Sequence, residues 1–246
     1  MKGMGDPRKA AEVRHGGAIA GRAESVWGWG SAAGRLRAAR RGQMLAAAAG
    51  LRKGVRVLEL GCGTGVFTRQ LAGQESFLLA VDISLDLLLV GRRENTGGEV
   101  RRATMDVEAL GIRSGTFDAV LGVSILHHAD LSRTLVEIRR VLRPGGRIAF
   151  SEPNMLNPQV AAMKKISLVG RLMGETPHET AFVRWGLSEA LRRHGFADVR
   201  IVPFDFLHPL TPGRAIPVVA RIGRAAERTP LLREIAGALF ITATRP

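Results

Sequence analysis

VLELGCGTGVFTRQLA, residues 57–72, sets an apolar strand-like run against a helix-like run, with Gly61, Gly63 and Gly65 between them. Glycines at such a junction let the backbone turn sharply and approach a ligand closely, while the first turn of the following helix offers oriented N–H groups. A purely structural turn uses glycine in the same way. The spacing differs from the dinucleotide pattern G-x-G-x-x-G because the third glycine comes one residue early, and no lysine follows as in a phosphate-binding loop. Dinucleotide and nucleoside-triphosphate binding both lose weight on that count.

Downstream, the rhythm repeats. FLLAVDI (77–83) reads as a buried strand, Leu85 to Arg93 as a helix ending near a Gly97-Gly98 turn, Glu99 to Met105 as a weaker strand and FDAVLGVSIL (117–126) as a strong one. Leu131 to Leu142 is a helix stopped by Pro144 and Gly145, and RIAFSE (147–152) is the next strand. Near-continuous apolar strands alternating with helices of this length are what a parallel sheet covered on both faces requires, so the fold class is α/β with an open sheet. Trp185 to His194 is a further helix closed by Gly195, ADVRIVPF (197–204) a further strand, and ALFITATRP (238–246) a last one. Two stretches stand outside the rhythm. Residues 1–50 form an amino-terminal extension, Gly-rich and poorly periodic up to residue 30, then a basic helix from Ala32 to Ala49. Within a main domain of residues 51–246, the segment 154–183 is an insert on the substrate side.

Of 246 residues, 36 are Lys or Arg and 22 Asp or Glu, a formal charge of +14. Such a balance invites a nucleic-acid reading. The bias is mostly arginine and dispersed, however, and a chain with no Tyr and nine Phe has few stacking platforms. A nucleic-acid partner is therefore not expected. Cys62 is the only cysteine, which excludes an intramolecular disulfide and a cysteine-held metal and suits a reducing, cytoplasmic location. The basic start leads into no apolar signal core, and no long uncharged apolar run exists, so neither secretion nor membrane spanning is expected.

Two acids follow the glycine turn at telling places. Asp82 ends the second strand, where a carboxylate can accept from both hydroxyls of a ribose, and Asp106 ends the third, where it can accept from an adenine amino group. Either acid taken alone can equally cap a helix, and Ser84 is as good a cap beside Asp82. Their joint placement after successive strands favours a nucleoside lying across the strand tips.

ELGCGTG (59–65), AVDIS (80–84), MDVEAL (105–110), FDAVLGVSILHH (117–128) and LRPGGRIAFSEP (142–153) occur in that order. Over about residues 55–203 the chain resembles the class I S-adenosylmethionine-dependent methyltransferases, in particular their small-molecule branch. The resemblance implies a Rossmann-like, open, seven-stranded, mostly parallel sheet with a reversed last strand, and S-adenosylmethionine as cofactor. It implies further that Glu59 and the turn Gly61, Cys62, Gly63 and Gly65 face the methionine portion, Asp82 with Ile83 the ribose, Asp106 with Val107 the adenine, and that Ser124 flanks the cofactor after the fourth strand. The amino-terminal extension is expected to close over that site. VSILHH stands where the protein-arginine and DNA-amino branches carry acidic or Asn-Pro-Pro-Tyr elements, which argues against those substrates.

Methyl transfer is an in-line displacement, so the protein must align an acceptor, exclude water and, for some acceptors, take a proton. His127 and His128 are the catalytic candidates, because imidazole titrates at about pH 6.5 and both follow the fourth strand at the pocket mouth. Strand-end histidines can also merely bond to backbone or shape a cleft. Glu152 sits where substrates approach an open sheet. Cys62 is expected to be a small turn residue, since no histidine adjoins it. Trp27 and Trp29 either pack the extension on the core or line the acceptor site, and Asn154 and Arg184 are further substrate-side candidates. No metal site is expected. The apolar insert around 155–173, with Lys164 and Lys165, packs on the sheet or rests on a lipid surface. The expected function is methylation of a small, apolar or aromatic acceptor at oxygen, nitrogen or activated carbon; the alternatives are an RNA methyltransferase and an inactive cofactor-binding scaffold. The oligomeric state is open.

Overall fold

The computed structural model describes residues 6–72, 76–93, 99–165 and 181–246. Seven strands form one sheet in the order β3-β2-β1-β4-β5-β7-β6. They are β1 (Arg56–Leu60), β2 (Phe77–Asp82), β3 (Glu99–Thr104), β4 (Phe117–Val123), β5 (Leu142–Pro153), β6 (Ala197–Phe204) and β7 (Ala238–Thr244). The first five run parallel, while β7 is antiparallel to both β5 and β6. This is the open sheet with a reversed last strand that the motifs implied. Because β1 has β2 on one side and β4 on the other, the chain changes direction across the sheet there, and a crevice opens at the strand tips.

The central strands read as unbroken apolar runs because both of their faces are covered. Leu58, Leu60 and Val120 pack on one side with Leu135, Ile138 and Leu191; Val57, Ala119 and Leu121 pack on the other with Leu45, Phe67 and Leu71. The first side is closed by α6 (Leu131–Val141) and α8 (Arg184–Arg193), the second by α3 (Ala32–Ala49) and α4 (Thr68–Leu71). In α3 the Ser31 hydroxyl caps the Gly34 N–H at 2.9 Å, and Gly50 ends the helix at φ +66°, where a side chain is disfavoured.

The amino-terminal stretch is more ordered than its weak periodicity suggests. It holds α1 (Pro7–Ile19) and α2 (Ala23–Val26), with Asp6 capping Arg8 N–H at 2.9 Å and Pro7 in the first turn. The pattern is weak because α1 is not held by an apolar stripe. It lies against α5 (Leu85–Arg92) through glycines: a Cβ on Gly16 would stand 2.5 Å from Ser84 Oγ, and one on Gly17 would stand 2.7 Å from Asp86 Oδ2. β5 also differs from expectation, beginning at Leu142 and carrying Pro144 and Gly145 through a register shift against β4 instead of after a turn. The insert begins with α7 (Pro158–Lys165). Ile166, Leu168, Val169, Leu172, Met173, His178 and Glu179 lie outside the described residues, as does the Gly97-Gly98 turn. Beyond β6 come α9 (Ile216–Arg228) and α10 (Pro230–Arg233).

A buried ion pair ties the extension to the far half of the sheet. Arg41 on α3 is 3% exposed and places Nη1 2.7 Å from Asp205 Oδ2, just past β6, while Arg37 Nε reaches the same oxygen at 2.8 Å. The Arg41 guanidinium lies 4.9 Å from the Phe204 ring centroid and 5.4 Å from that of Trp29. Burial pulls the Arg41 pKa down to about 10 against the attraction of Asp205. Burial likewise works to raise Asp205, but Arg41 and Arg37 together hold it below the ordinary carboxylate value. A charge buried this deeply is costly when its partner is removed. Asp205→Asn is accordingly expected to lower unfolding free energy by about 3 kcal/mol in urea titration. Arg41→Met in the same chain should recover much of that loss; no recovery would show that the pair is not the cause.

Candidate active site

The glycine turn closes directly on the strand tips. Gly61, Gly63 and Gly65 all have positive φ, of +64°, +51° and +86°. At Gly61 a Cβ would collide with the Ile125 side chain at 2.7 Å, and at Gly63 with the Trp27 ring at 2.9 Å. Both glycines are therefore required by conformation and by space. Asp82, buried at the tip of β2, accepts the Gly63 N–H at 2.8 Å on Oδ2 and the Ser84 N–H at 2.8 Å on Oδ1. Burial raises its pKa, and these two N–H groups oppose the rise. Cys62 packs with Ala80 and Leu88, and burial pushes its thiol pKa well up, as suits an inert turn residue.

Glu59, on β1 beneath the turn, is 2% exposed and accepts the Thr68 hydroxyl at 2.6 Å. Burial pushes its pKa up to about 7, against the hydrogen bond from Thr68 and the charge of Arg102. At the tip of β3, Asp106 accepts the Glu108 N–H at 2.9 Å and pairs with Lys9 Nζ at 2.6 Å, while Val107 is buried beside it. Ile83 is half-buried after β2.

After β4 the chain turns through Ser124, a non-glycine residue at φ +54° whose N–H donates to the Ser151 carbonyl at 2.8 Å. A strained residue of this kind persists where its surroundings hold it. That turn leads to the most organised polar group of the site. Glu152 at the end of β5 accepts the N–H groups of Ile125 at 3.0 Å and Leu126 at 2.9 Å on one oxygen, and His127 Nδ1 lies 2.7 Å from the other. Both side chains are buried, at 4% and 0% exposure. A carboxylate oxygen accepts, so the tautomer that satisfies this contact carries its proton on His127 Nδ1. His128 stacks on His127 with centroids 4.1 Å apart, and its Nδ1 is 3.3 Å from Glu12 Oε2 on α1.

The extension covers this edge. Arg8 donates to the His128 carbonyl at 2.6 Å and pairs with Glu108, which Lys9 also reaches at 2.7 Å. Trp27 lies on the turn with Ile19, Ala23 and Leu87, whereas Trp29 packs edge-on to Phe67 at 5.3 Å beneath Arg37 and Arg41. Between α3 and α9, past the end of β6, a cavity of about 220 Å³ is lined by Leu36, Phe206, Leu207, Ala220 and Gly223, with Arg37, Arg40, Asp205, Arg224 and Glu227 forming its polar wall.

Two substrate-side expectations meet a different arrangement. The Asn154 amide donates to the Glu234 and Ala236 carbonyls, both at 2.8 Å, and its oxygen accepts the Leu156 N–H, so this buried side chain pins the end of β5 to the start of β7. Arg184 pairs with Glu234 at 2.8 Å and stacks on Trp185 at 4.8 Å, beside a separate cavity of about 360 Å³ against β6. Conversely, Lys9, Glu12 and Thr68 belong to the site without having been singled out. The Asp6-Pro7 pair was the available sign of α1, and Thr68 stands nine residues from Glu59, across the turn. Among the described residues no group of acids, histidines and cysteine could hold a metal ion.

The site's residues fit an adenosyl group on their own chemistry. A carboxylate offers roughly four lone-pair positions. The backbone donors at Asp82 occupy only part of that capacity, which leaves acceptors for a pair of hydroxyls. Asp106 can accept from an amino group, while Ile125 and Trp27 stand against the glycine turn at Gly61 and Gly63.

Comparison with known proteins agrees. Residues 58–150 match the methyltransferase domain family. An uncharacterised methyltransferase-like protein of Schizosaccharomyces pombe is 31% identical over 157 residues, 63% of this chain and 59% of that protein. A ubiquinone/menaquinone biosynthesis C-methyltransferase of Pasteurella multocida is 32% identical over 163 residues, 61% of this chain and 60% of its own length. The chain thus spans under two thirds of these curated relatives. A putative methyltransferase solved in complex with the Haloferax volcanii Trm112 activator superposes with a TM-score of 0.68 over 94% of this chain and 97% of that one, at 19% identity, which speaks to the fold alone. Residues 58–150 thus carry the match to a methyltransferase domain, within the longer stretch whose motifs resemble the class I S-adenosylmethionine-dependent methyltransferases.

Glu59 supplies a pH test. Its ordinary pKa of 4.5 rises to about 7 on folding, so the native state holds a proton that the unfolded chain has lost. Stability therefore falls as pH rises between those values, by an amount on the order of 3 kcal/mol. Glu59→Gln, which cannot ionise, should gain in melting temperature relative to the parent as pH rises from 4.5 to 7.5. A difference independent of pH would show that Glu59 is already ionised in the folded protein.

Proposed function

We propose that this chain transfers a methyl group from S-adenosylmethionine to a small apolar or aromatic acceptor, with His127 taking the acceptor's proton and Glu152 positioning His127. The observation that carries this reading is the buried 2.7 Å contact between His127 Nδ1 and Glu152 Oε2 at the carboxyl edge of the sheet, directly after the turn whose Ile125 leans on Gly61. When bound, S-adenosylmethionine supplies a methyl group on a positively charged sulfur. Asp82 would hold the ribose hydroxyls, Asp106 with Val107 the adenine, and Glu59 the positive end of the methionine portion, with Lys9, now paired with Asp106, sharing that carboxylate. Ser124, Ile125 and Trp27 bound the reacting centre and exclude water.

His127 then serves any acceptor whose O–H, N–H or acidified C–H must give up a proton, and Glu152 stabilises the imidazolium as it forms. His128, stacked on His127 and facing Glu12, helps fix the ring. An apolar acceptor is supported by the aliphatic wall of Leu36, Phe206, Leu207 and Ala220 past the end of β6, and by Trp29 nearby. The RNA alternative is disfavoured by the fate of the arginines near the site. Arg37 and Arg41 are paired with Asp205, Arg40 with Glu227 and Arg8 with Glu108, so they do not form an unpaired stripe for phosphates. A scaffold would have no use for a buried His–Glu pair, which is costly to desolvate.

Calorimetry with S-adenosylhomocysteine should show binding that Asp82→Asn weakens at least about tenfold, since the amide loses an acceptor. With radiolabelled cofactor and a panel of phenols and 1,3-dicarbonyls, His127→Gln should cut kcat by about 10²–10⁴-fold while binding S-adenosylhomocysteine normally. Glu152→Gln should lower kcat and shift its pH profile. Full turnover in His127→Gln would remove the proton-transfer role.

A further inference from the structure

The carboxyl-terminal helices present a surface that neither the core nor the active site uses. α9 is strongly amphipathic, yet Gly223 is its only fully buried residue. Its inner side is firmly seated: Arg40 donates to both oxygens of Glu227 at 2.7 and 2.6 Å, the Asp205 N–H adds a bond at 2.8 Å, and Gly223 meets Phe206. The outer side repeats two residue types with helical spacing. Val218, Ile222 and Ala225, at i, i+4 and i+7, make an apolar stripe; Arg221 and Arg228, at i and i+7, flank it, with Arg224 at the rim of the cavity between α3 and α9. Val218 is 60% and Ile222 64% exposed, and α10 continues the apolar surface with Leu231 at 86% and Leu232 at 49%.

The charges on this face are of one sign. Arg214, Arg221, Arg224 and Arg228 are exposed, and none forms an ion pair with a described residue. The acids of the same stretch, Glu227 and Glu234, are turned inward to Arg40 and Arg184. Isolated exposed aliphatics are ordinary, but a contiguous row next to unpaired arginines has the pattern of a helix lying in a lipid headgroup layer, apolar side down and guanidiniums among phosphates. Nucleic acid would match the arginines and leave Val218, Ile222, Leu231 and Leu232 without partners.

We propose that α9 and α10 dock this protein on an anionic phospholipid surface, from which an amphiphilic acceptor enters the active site. The acceptor part rests on the methyl-transfer reading above; the docking part does not. The same helix that would lie on the bilayer forms, through Ala220, Gly223 and Glu227, one wall of the aliphatic cavity past the end of β6. A lipidic acceptor would thus leave the membrane beside that cavity instead of crossing water. This places the lipid contact on residues 213–235.

The test uses the full chain without cofactor, sedimented with vesicles of phosphatidylglycerol and phosphatidylcholine or of phosphatidylcholine alone. Binding should require the anionic lipid, weaken as salt rises, and fall at least tenfold both in Ile222→Glu/Leu231→Glu and in Arg221→Gln/Arg228→Gln. These exposed sites should leave the melting temperature and S-adenosylhomocysteine affinity unchanged, which separates lost docking from lost folding. Equal binding to neutral vesicles, none to either, or full binding by both variants would overturn the proposal. So would tighter binding to a single-stranded RNA oligonucleotide at matched salt, or self-association abolished by Ile222→Glu/Leu231→Glu. Because vesicle binding is read without turnover, an absence of S-adenosylhomocysteine affinity would sink the methyl-transfer reading and leave docking standing.

Discussion

The carboxylate of Asp82 holds the glycine turn to the sheet. One oxygen takes the Gly63 N–H from the loop after β1 and the other takes the Ser84 N–H at the start of the helix after β2, so a single buried side chain spaces two neighbouring strand tips. The loop it anchors has no side chains of its own at Gly61, Gly63 and Gly65, and its path is fixed further by the Cys62 N–H on the Val81 carbonyl at 3.0 Å. Being buried, Asp82 meets few waters, and the two N–H groups offset the cost of that burial. The geometry that steadies the fold thereby also fixes the direction of the remaining Asp82 acceptors at the strand tips.

Around that anchor the protein repeats one device, an acid at a strand end satisfied by the backbone of the next element. Glu152 caps the turn after β4 through two N–H groups and retains an oxygen for His127. Asp106 caps its own turn and retains an oxygen for Lys9. The helix-capping and ligand-binding readings of such acids are therefore not exclusive. A carboxylate has enough lone pairs for both, and a rigid structural bond leaves the remaining acceptors aimed in a defined direction.

Positive charge is sorted by location in the same economical way. Arginines near the catalytic edge are neutralised inside the fold, with Arg41 so deeply buried that Asp205 and two aromatic rings surround it. Arginines on the carboxyl-terminal helices face outward beside exposed aliphatics. The net charge of +14 is thus a sum over unlike environments, and its size alone says nothing about which partner it serves.

Sheet, turn and acids were legible in the linear chain because each has a short-range cause. A strand covered on both faces is mostly apolar, a loop at positive φ favours glycine, and the acids fall close to the ends of their strands. The first helix was not legible, since it is held by glycine contacts on α5 and by Arg8 and Lys9 reaching acids about a hundred residues away, none of which leaves a periodic trace. Sequence position likewise put His127 at the pocket mouth as a catalytic candidate, with Asn154 and Arg184 as further candidates on the substrate side. Only packing distinguished them: it spent the Asn154 amide on backbone carbonyls, turned Arg184 to Glu234, and brought Glu152, twenty-five residues from His127, onto its ring nitrogen. Pairings of that kind depend on which strand ends become neighbours, and strand order is a property of the whole sheet rather than of any segment in it.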